Sequence, residues 1–381
     1  MRRILFVSNG HGESTIAERI AREVSATAGG RLGLDHLALV GEPGSGALAP
    51  VGPRKNMPSG GLVAMGNVAA LTRDIGAGLL GLASAQARFL RREGARYDGV
   101  VSVGDVYALA LAGLTRRPVI FVGTAKSVRV AAYGPFERVL LRRASRVFVR
   151  DAATAAHLRS HGVAADAPGN TIVELGDDAP PPPPEFAGRD AIAVLPGSRT
   201  TAYADAVRLA AVIRALGERA GPTRGLLSLA PGLEAERFAR ALSDDGWSCG
   251  DISAGDDVAF RARAGSAEIA GWRGPFGTLL RSTHLVLGLA GTANEQAAAA
   301  GLPVVALDVG DDWYRMRQRR LLGAAMTLIP QRPGPAAAAL AGLLGDASRL
   351  ESMREAGRER MGPPGGSRAI AAAIVEFADA E

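Results

Sequence analysis

Ala191-Ile192-Ala193-Val194-Leu195-Pro196-Gly197-Ser198-Arg199 is an unbroken apolar run that ends in a turn, and a helix-forming stretch, residues 203–217, follows it. The chain opens in the same way. Arg3-Ile4-Leu5-Phe6-Val7-Ser8 is an apolar run, residues 9–12 a glycine-containing turn, and residues 14–26 a helical stretch. Further apolar runs at residues 99–103, 119–122, 146–149, 226–229, 285–288 and 304–307 read as strands, with helical patterns between most of them. Continuous Val/Ile/Leu runs alternating with helices predict parallel sheets covered on both faces. Two such openings in one chain predict two doubly wound α/β domains.

A length of 381 residues also exceeds what one ordinary core organises. The boundary is marked by five consecutive prolines, Pro180 to Pro184, between Asp177-Asp178 and Glu185. Such a run favours stiff polyproline II and cannot lie in a helix or a central strand. The expected division is a first domain at residues 1–176, a proline-rich linker at 177–190, and a second domain at 191–362. Pro363-Pro364-Gly365-Gly366 stops one helix. Residues 363–381 are then expected to carry a closing helix that crosses back to the first domain.

Composition removes several function classes. Apolar residues make up 47% and charged residues 22%, which is globular and not disordered. Lys plus Arg number 44 against 38 Asp plus Glu, a net charge of +6, and Lys55 and Lys126 are the only lysines. No basic run interleaved with aromatics is present, so a dedicated nucleic-acid binder is not expected. Anionic small molecules and an anionic membrane surface remain as partners for this charge. The single cysteine, Cys249, excludes an intramolecular disulfide framework. The short apolar opening predicts no signal-peptide core, and the uncharged stretch at residues 56–72 is broken by Pro58, Gly60, Gly61 and Gly66. A cytoplasmic protein is expected, with the option of peripheral attachment to the inner face of the membrane.

Ligands of open α/β sheets bind at the carboxyl ends of strands, often where a turn leads into a helix N-terminus. Three turns qualify. In Ser8-Asn9-Gly10-His11-Gly12-Glu13-Ser14, Gly10 and Gly12 allow close backbone approach and present His11 and Glu13 at a helix start. Glu13 and Ser14 also suit plain capping of that helix. The spacing is not the dinucleotide fingerprint, so NAD has little support. In Pro196-Gly197-Ser198-Arg199, free helix N–H groups, the Ser198 hydroxyl and the Arg199 fork suit a diphosphate. In Gly288-Leu289-Ala290-Gly291-Thr292-Ala293-Asn294-Glu295-Gln296, Gly291 and Thr292 are placed to meet phosphate. Asn294 belongs to the same turn, and Glu295 or Gln296 is placed to accept from ribose hydroxyls.

Leu195-Pro196-Gly197-Ser198-Arg199, with Gly291-Thr292-Ala293 and the Pro303-Val304-Val305 strand, resembles lipid-A-disaccharide synthase, a glycosyltransferase of the two-domain GT-B type. The opening Ser8-Asn9-Gly10-His11-Gly12-Glu13 and Gly291-Thr292-Ala293-Asn294-Glu295-Gln296-Ala297 are closer to the bacterial proteins described as lipid-A-disaccharide-synthase-related, and the resemblance includes Gly169-Asn170. It implies two Rossmann-like domains facing a central cleft, acceptor side first and nucleotide-sugar side second. No cofactor or bound metal is implied, the nucleotide-sugar, a UDP-sugar, being a substrate. Ser198 and Arg199 would hold the donor diphosphate, with Gly291, Thr292, Glu295 and Gln296 around phosphate and ribose. Asp105 falls where the synthase has an essential aspartate and is the candidate general base, with His11 as the other. As a strand-to-helix residue Asp105 equally suits an N-cap.

The chain departs from the synthase at three places. Gly12-Glu13-Ser14-Thr15 lacks the aspartate of the synthase's opening loop. The acid after Gly291-Thr292-Ala293 stands one position early, with Gln296 where the synthase has Glu. Thr200-Thr201-Ala202 lacks the acidic residue that follows the arginine. These changes bear on the acyl-glucosamine substrates and not on the fold. The expected activity is inverting, metal-independent transfer of a sugar. The alternatives are a UDP-sugar 2-epimerase or hydrolase of the same fold, and a non-catalytic nucleotide-sugar binder. His157 and His161 stand four apart on an expected helix without a third metal ligand nearby. Residues 62–92, with Arg73, Arg88, Arg91 and Arg92, and the basic apolar stretch Arg138-Val139-Leu140-Leu141-Arg142-Arg143 favour a lipid-linked acceptor at an anionic leaflet.

Overall fold

A computed structural model of the chain describes residues 1–40, 46–55, 78–253, 255–310 and 312–380, with the backbone alone at positions 11 and 312–315. It divides into two compact units, Met1–Glu174 with Pro363–Glu381, and Leu175–Gly362.

In the first unit, parallel strands β1 (Arg2–Ser8), β2 (Leu32–Ala38), β3 (Ala49–Pro50), β4 (Gly99–Gly104), β5 (Val119–Gly123) and β6 (Arg146–Val149) are ordered β3-β2-β1-β4-β5-β6. Helix α1 (His11–Ala28) follows β1 and α2 (Leu79–Glu93) precedes β4. The helices α3 (Val106–Ala112) and α4 (Pro135–Leu141) link β4 to β5 and β5 to β6, and α5 (Ala152–Ser160) follows β6. Leu5 and Val7 of β1 pack with Leu90 of α2, Leu109 of α3, Leu141 of α4 and Leu158 of α5 in one core, so these four helices share a face of the sheet. On this order the chain moves from β1 towards β2 and then returns across β1 to β4. The C-terminal ends of β1 and β4 are therefore a topological switch point, the place where an open sheet leaves a crevice.

The second unit repeats the plan with β7 (Ala191–Leu195), α6 (Ala202–Ala220), β8 (Thr223–Ser228), α7 (Ala235–Asp244), β9 (Ser248–Cys249), β10 (Val258–Ala264) and β11 (Ala267–Trp272). Then come α8 (Phe276–Arg281), β12 (Thr283–Gly288), α9 (Thr292–Ala299), β13 (Val304–Leu307), α10 (Asp312–Leu322), β14 (Met326–Ile329), α11 (Pro333–Leu344) and α12 (Ala347–Met361). The order is β14-β13-β12-β7-β8-β11-β10-β9, with the switch point between β7 and β12.

This sheet differs from a purely parallel expectation at one edge, where β10 pairs antiparallel with both β11 and β9. The cause is a hairpin. Gly265, at φ +57°, turns the chain between two strands whose Arg261, Arg263 and Glu268 pair on the solvent side. The proline segment belongs to the second unit rather than standing apart as a linker: Thr278 Oγ1 and Arg281 donate to the Pro180 carbonyl. The closing helix α13 (Gly366–Ala380) packs on α1 of the first unit. Its start is held by buried Glu174, whose carboxylate accepts from the N–H groups of Gly365 and Ser367. Gly169 permits the approach, because a Cβ there would stand 2.6 Å from the Gly366 nitrogen.

Among the described residues no helix is long and apolar enough to cross a membrane. Of the basic segment at residues 62–92, positions 62–77 lie outside the described residues, and the remainder falls in α2.

Candidate functional site

At the first switch point the turn of residues 9–12 leaves β1 and enters α1 directly. Gly10 takes φ +123° and ψ +166°, a conformation closed to residues with a Cβ, and no side chain caps the helix it opens. His11 and Gly12 are the first residues of α1, and Glu13 lies in its first turn. Across the switch point, Gly104 ends β4 at φ +124°, and a Cβ on it would stand 2.8 Å from Cγ of Glu13. The bare glycine thus lets the Glu13 side chain lie against the end of β4, next to Asp105.

Asp105 is held at both oxygens. Its Oδ1 accepts from the Ala108 N–H at 3.0 Å, which makes it the N-cap of α3, and its Oδ2 accepts from Nδ2 of Asn9 at 3.0 Å. Capping and carboxylate positioning are therefore joint properties of one residue. Burial raises the Asp105 pKa above the ordinary 3.8, against the hydrogen bonds from Ala108 and Asn9, which lower it. A carboxylate that is more basic than usual and fixed in orientation suits proton abstraction from a hydroxyl. Asn9 itself is 1% exposed.

Beneath this turn lies a polar cluster that sequence reading did not assign. The Oγ of Ser8 is 2.8 Å from Nε2 of His36 on β2 and 3.0 Å from Oγ of Ser14. All three residues are buried, and burial lowers the pKa of His36 to about 4, so the ring is neutral at pH 7. The β1–β2 register sets His36 beside Phe6, one pleat before Ser8. Only strand pairing reveals that neighbour, since nothing in the local sequence of His36 marks it.

At the second switch point the other two turns come together. Leu195 pairs with Gly288, and the N–H groups of Leu289 and Ala290 both donate to the Leu195 carbonyl. The turn of residues 196–199 therefore stands beside that of residues 288–291. Gly197 is half-buried, and Ser198, Arg199 and Thr292 are exposed. The N-cap residues of α6 and α9, Thr201 and Gly291, make no side-chain cap hydrogen bond, so both helix N-termini meet these turns uncapped.

Asn294 and Glu295, expected at the substrate, turn inward instead. Asn294 is fully buried, and its Oδ1 lies 2.4 Å from where a Gly288 Cβ would be. Glu295 is 1% exposed and pairs with Arg317 of α10 at 3.2 Å. Gln296 is half-buried and stays on the accessible side. Arg317 was not foreseen. Its Nη1 comes within 3.8 Å of where a Gly291 Cβ would be, which sets a second guanidinium by the glycine turn.

Among the described residues no group of three or more His, Cys, Asp or Glu is gathered for a metal ion. His157 and His161 stack with ring centroids 4.4 Å apart, and Nδ1 of His161 bonds the His157 carbonyl.

No protein-family model matches the chain, and no curated protein matches it in sequence. Solved structures do match in fold over nearly the whole length. MnaA of S. aureus, in a structure with UDP, has a TM-score of 0.61 at 13% identity, covering 100% of this chain and 97% of that one. The UDP-GlcNAc 2-epimerase of Neisseria meningitidis, bound to UDP-GlcNAc, has a TM-score of 0.57 at 13% identity and covers 100% of both chains. The glycosyltransferase SnogD of Streptomyces nogalater has a TM-score of 0.53 at 17% identity, covering 99% of each chain. At such identities the likeness is one of fold, and the chain has the two-domain, Rossmann-like architecture common to GT-B glycosyltransferases and UDP-GlcNAc 2-epimerases.

Proposed function

We propose that the protein is an inverting glycosyltransferase that moves a sugar from a UDP-sugar to a hydroxyl of a lipid-linked acceptor. The observation that carries the reading is the occupancy of both switch points. One holds a half-buried, doubly fixed carboxylate, and the other a pair of adjoining turns with Arg199, Arg317 and two uncapped helix N-termini. The fold neighbours bound to UDP and UDP-GlcNAc support a uridine nucleotide as the ligand of the second unit.

In this reading Asp105, or His11 on the turn that follows β1, takes the proton of the acceptor hydroxyl. The acceptor oxygen attacks the anomeric carbon as the bond from that carbon to the diphosphate oxygen breaks, and the electron pair leaves with the diphosphate. The negative charge that develops there is met by Arg199 and by the helix starts at Ala202 and Thr292, dipoles fixed before the reaction begins. That arrangement supplies positive charge without calling on a metal. Glu13, against Gly104, orients the acceptor.

A second reading has its own support. Epimerases are among the fold neighbours, and Asp105 with Glu13 offers two carboxylates on one edge, as acid–base work on the donor itself would use. Calorimetric titration with UDP, GDP, UDP-GlcNAc and NAD, without added metal, tests the donor half. Incubation with the UDP-sugar alone then separates the readings: an epimerase or hydrolase turns the donor over, and a transferase does not until an acceptor is added. Binding without turnover under either condition, indifferent to Asp105→Asn, would mark a nucleotide-sugar binder.

A further inference from the structure

Apart from Met1, the large hydrophobic side chains exposed among the described residues are Leu80, Phe136 and Val139, at 65%, 75% and 44%. Their grouping follows from the topology. Helix α2 leads into the start of β4 and α4 into the start of β6, so both run antiparallel to the strands. Their first turns therefore stand at the C-terminal edge of the sheet, the edge that carries Asp105. Both helices belong to the one core face that also holds α3. Leu80 is the second residue of α2 and Phe136 the second of α4, so two helices of one layer, each in contact with α3, raise an apolar side chain at the same edge.

Around α4 the exposed surface is continuous. Ala131, Ala132, Pro135, Phe136, Val139, Arg142 and Arg143 are all exposed; positions 136 and 139 share one face of α4, and Arg142 and Arg143 follow directly on its last residue, Leu141. Scattered single hydrophobics need no explanation, but an apolar ridge flanked by one sign of charge does. Residues 126–143 carry Lys126, Arg129, Arg138, Arg142 and Arg143 against one acid, Glu137. That acid is occupied inward, accepting from Lys126 Nζ at 2.7 Å and from the Gly134 N–H at 2.6 Å. At the other end of the layer, Lys55 Nζ is 3.5 Å from where a Gly78 Cβ would be, directly before α2. Both lysines of the chain thus border this edge.

We infer that the edge formed by the first turns of α2 and α4 docks on an anionic phospholipid surface. Phe136, Val139 and Leu80 enter the headgroup region, and the surrounding arginines meet lipid phosphates. Charge complementarity selects this occupant: residues 126–143 carry five cations against one acid, and a surface with such an excess repels a second copy of itself and attracts an anionic leaflet. The inference deepens the proposed function, because a lipid-borne acceptor would arrive at the edge where Asp105 stands. It rests on the transferase reading for its purpose alone.

The test uses the full chain and vesicles of phosphatidylcholine, with or without phosphatidylglycerol, in co-sedimentation, and reads UDP affinity in parallel. The wild type is expected to sediment with the phosphatidylglycerol vesicles and to be released by salt. The double variant Leu80→Ser with Phe136→Ser is expected to lose about tenfold or more in partitioning. Arg143→Glu, a single exposed charge reversal, is expected to lose about thirtyfold. UDP affinity and thermal midpoint should not change in either. Absence of sedimentation with both vesicles, equal sedimentation with both, or full retention by the serine variant would overturn the inference. So would a concentration-dependent dimer that Phe136→Ser dissolves, which would give the face to a second copy of the chain. Vesicle binding without UDP binding would instead sink the transferase reading and leave the docking surface standing.

Discussion

The two units solve one topological problem with opposite fillings. Each sheet reverses direction beside its first strand, and each leaves turns at the strand ends there. In the first unit those turns are buried and bonded to one another: Ser8, Asn9 and Ser14 are each at most 3% exposed, and Asp105 is fixed at both oxygens. In the second unit Ser198, Arg199 and Thr292 stand in the open, and the helix N-termini behind them have no side-chain caps. A group that must take a proton gains from a desolvated, rigid setting, because burial raises its basicity and orientation is set in advance. A site that must bind a multiply charged diphosphate gains from unsatisfied donors that only the ligand completes. On the proposed function the first unit is set up for chemistry and the second for capture, and substitutions can break that comparison at either end.

The largest effect is expected at Asp105. Asparagine is as good an N-cap as aspartate, so Asp105→Asn keeps α3 capped while removing the base. Transfer should fall by about 10²–10⁴-fold, with UDP affinity and thermal midpoint held. The rate of the wild type should also decline with falling pH at a value above 3.8, since burial raises this carboxyl. Steady-state kinetics against pH reads both. A loss of UDP binding in the variant would erase the division of labour.

Next comes His36, which tests whether burial in the first unit is as complete as its contacts suggest. The folded pKa of about 4 lies below the unfolded 6.5, so between these values the unfolded chain binds the extra proton. The stability contributed by the neutral ring is full above pH 6.5 and is lost as pH falls through 4, in all roughly 3 kcal/mol. His36→Gln, which cannot titrate there, should flatten that part of the pH profile. Urea unfolding at pH 7.5, 6, 5 and 4 makes the measurement, and parallel profiles for the two proteins would show His36 to be hydrated.

In the second unit, Arg199→Ala should weaken UDP binding by about 1.5–3 kcal/mol, the worth of one charge-assisted contact, and should leave stability alone because the side chain is exposed. Titration calorimetry decides. An unchanged dissociation constant would remove Arg199 from the donor site and leave Arg317 as the guanidinium at the glycine turn.

How far these sites were legible in the sequence depends on range along the chain. The unbroken runs of β1, β4, β5, β7, β12 and β13 announce buried parallel strands, and glycines immediately after β1 and β12 announce turns, because strand and turn are local patterns. The antiparallel hairpin of β10 and β11 was missed for a physical reason: Arg261, Arg263 and Glu268 interrupt its apolar residues, and alternation over so few positions competes with helical readings. Asn9 was visible within its motif, but its bond to Asp105 spans 96 positions and exists only after β1 and β4 pair. His36 and Arg317 gave less still, since His36 acquires Ser8, and Arg317 acquires Glu295, through packing alone.

The smallest expected effect separates two residues that sequence left as equal candidates for the ribose. Glu295 and Gln296 adjoin in α9, yet the helical turn of about 100° per residue sends them to different surroundings. Glu295 goes inward to Arg317 and is 1% exposed, and Gln296 lies one turn after exposed Thr292 on the open side. A neutral amide accepting from a ribose hydroxyl is worth about 0.5–1.5 kcal/mol net. Gln296→Ala should therefore cost UDP that much affinity, cost free pyrophosphate none, and leave the thermal midpoint in place. Glu295→Gln should act the other way round, lowering the midpoint, through the loss of an ion pair whose carboxylate is buried, before it touches the ribose. Titrations of both variants with UDP and with deoxy-UDP lacking the ribose hydroxyl make the distinction. If Glu295→Gln lost the preference for the ribose hydroxyl and Gln296→Ala kept it, the buried carboxylate would have to turn outward on binding, and the second unit would be less preformed than its turns indicate.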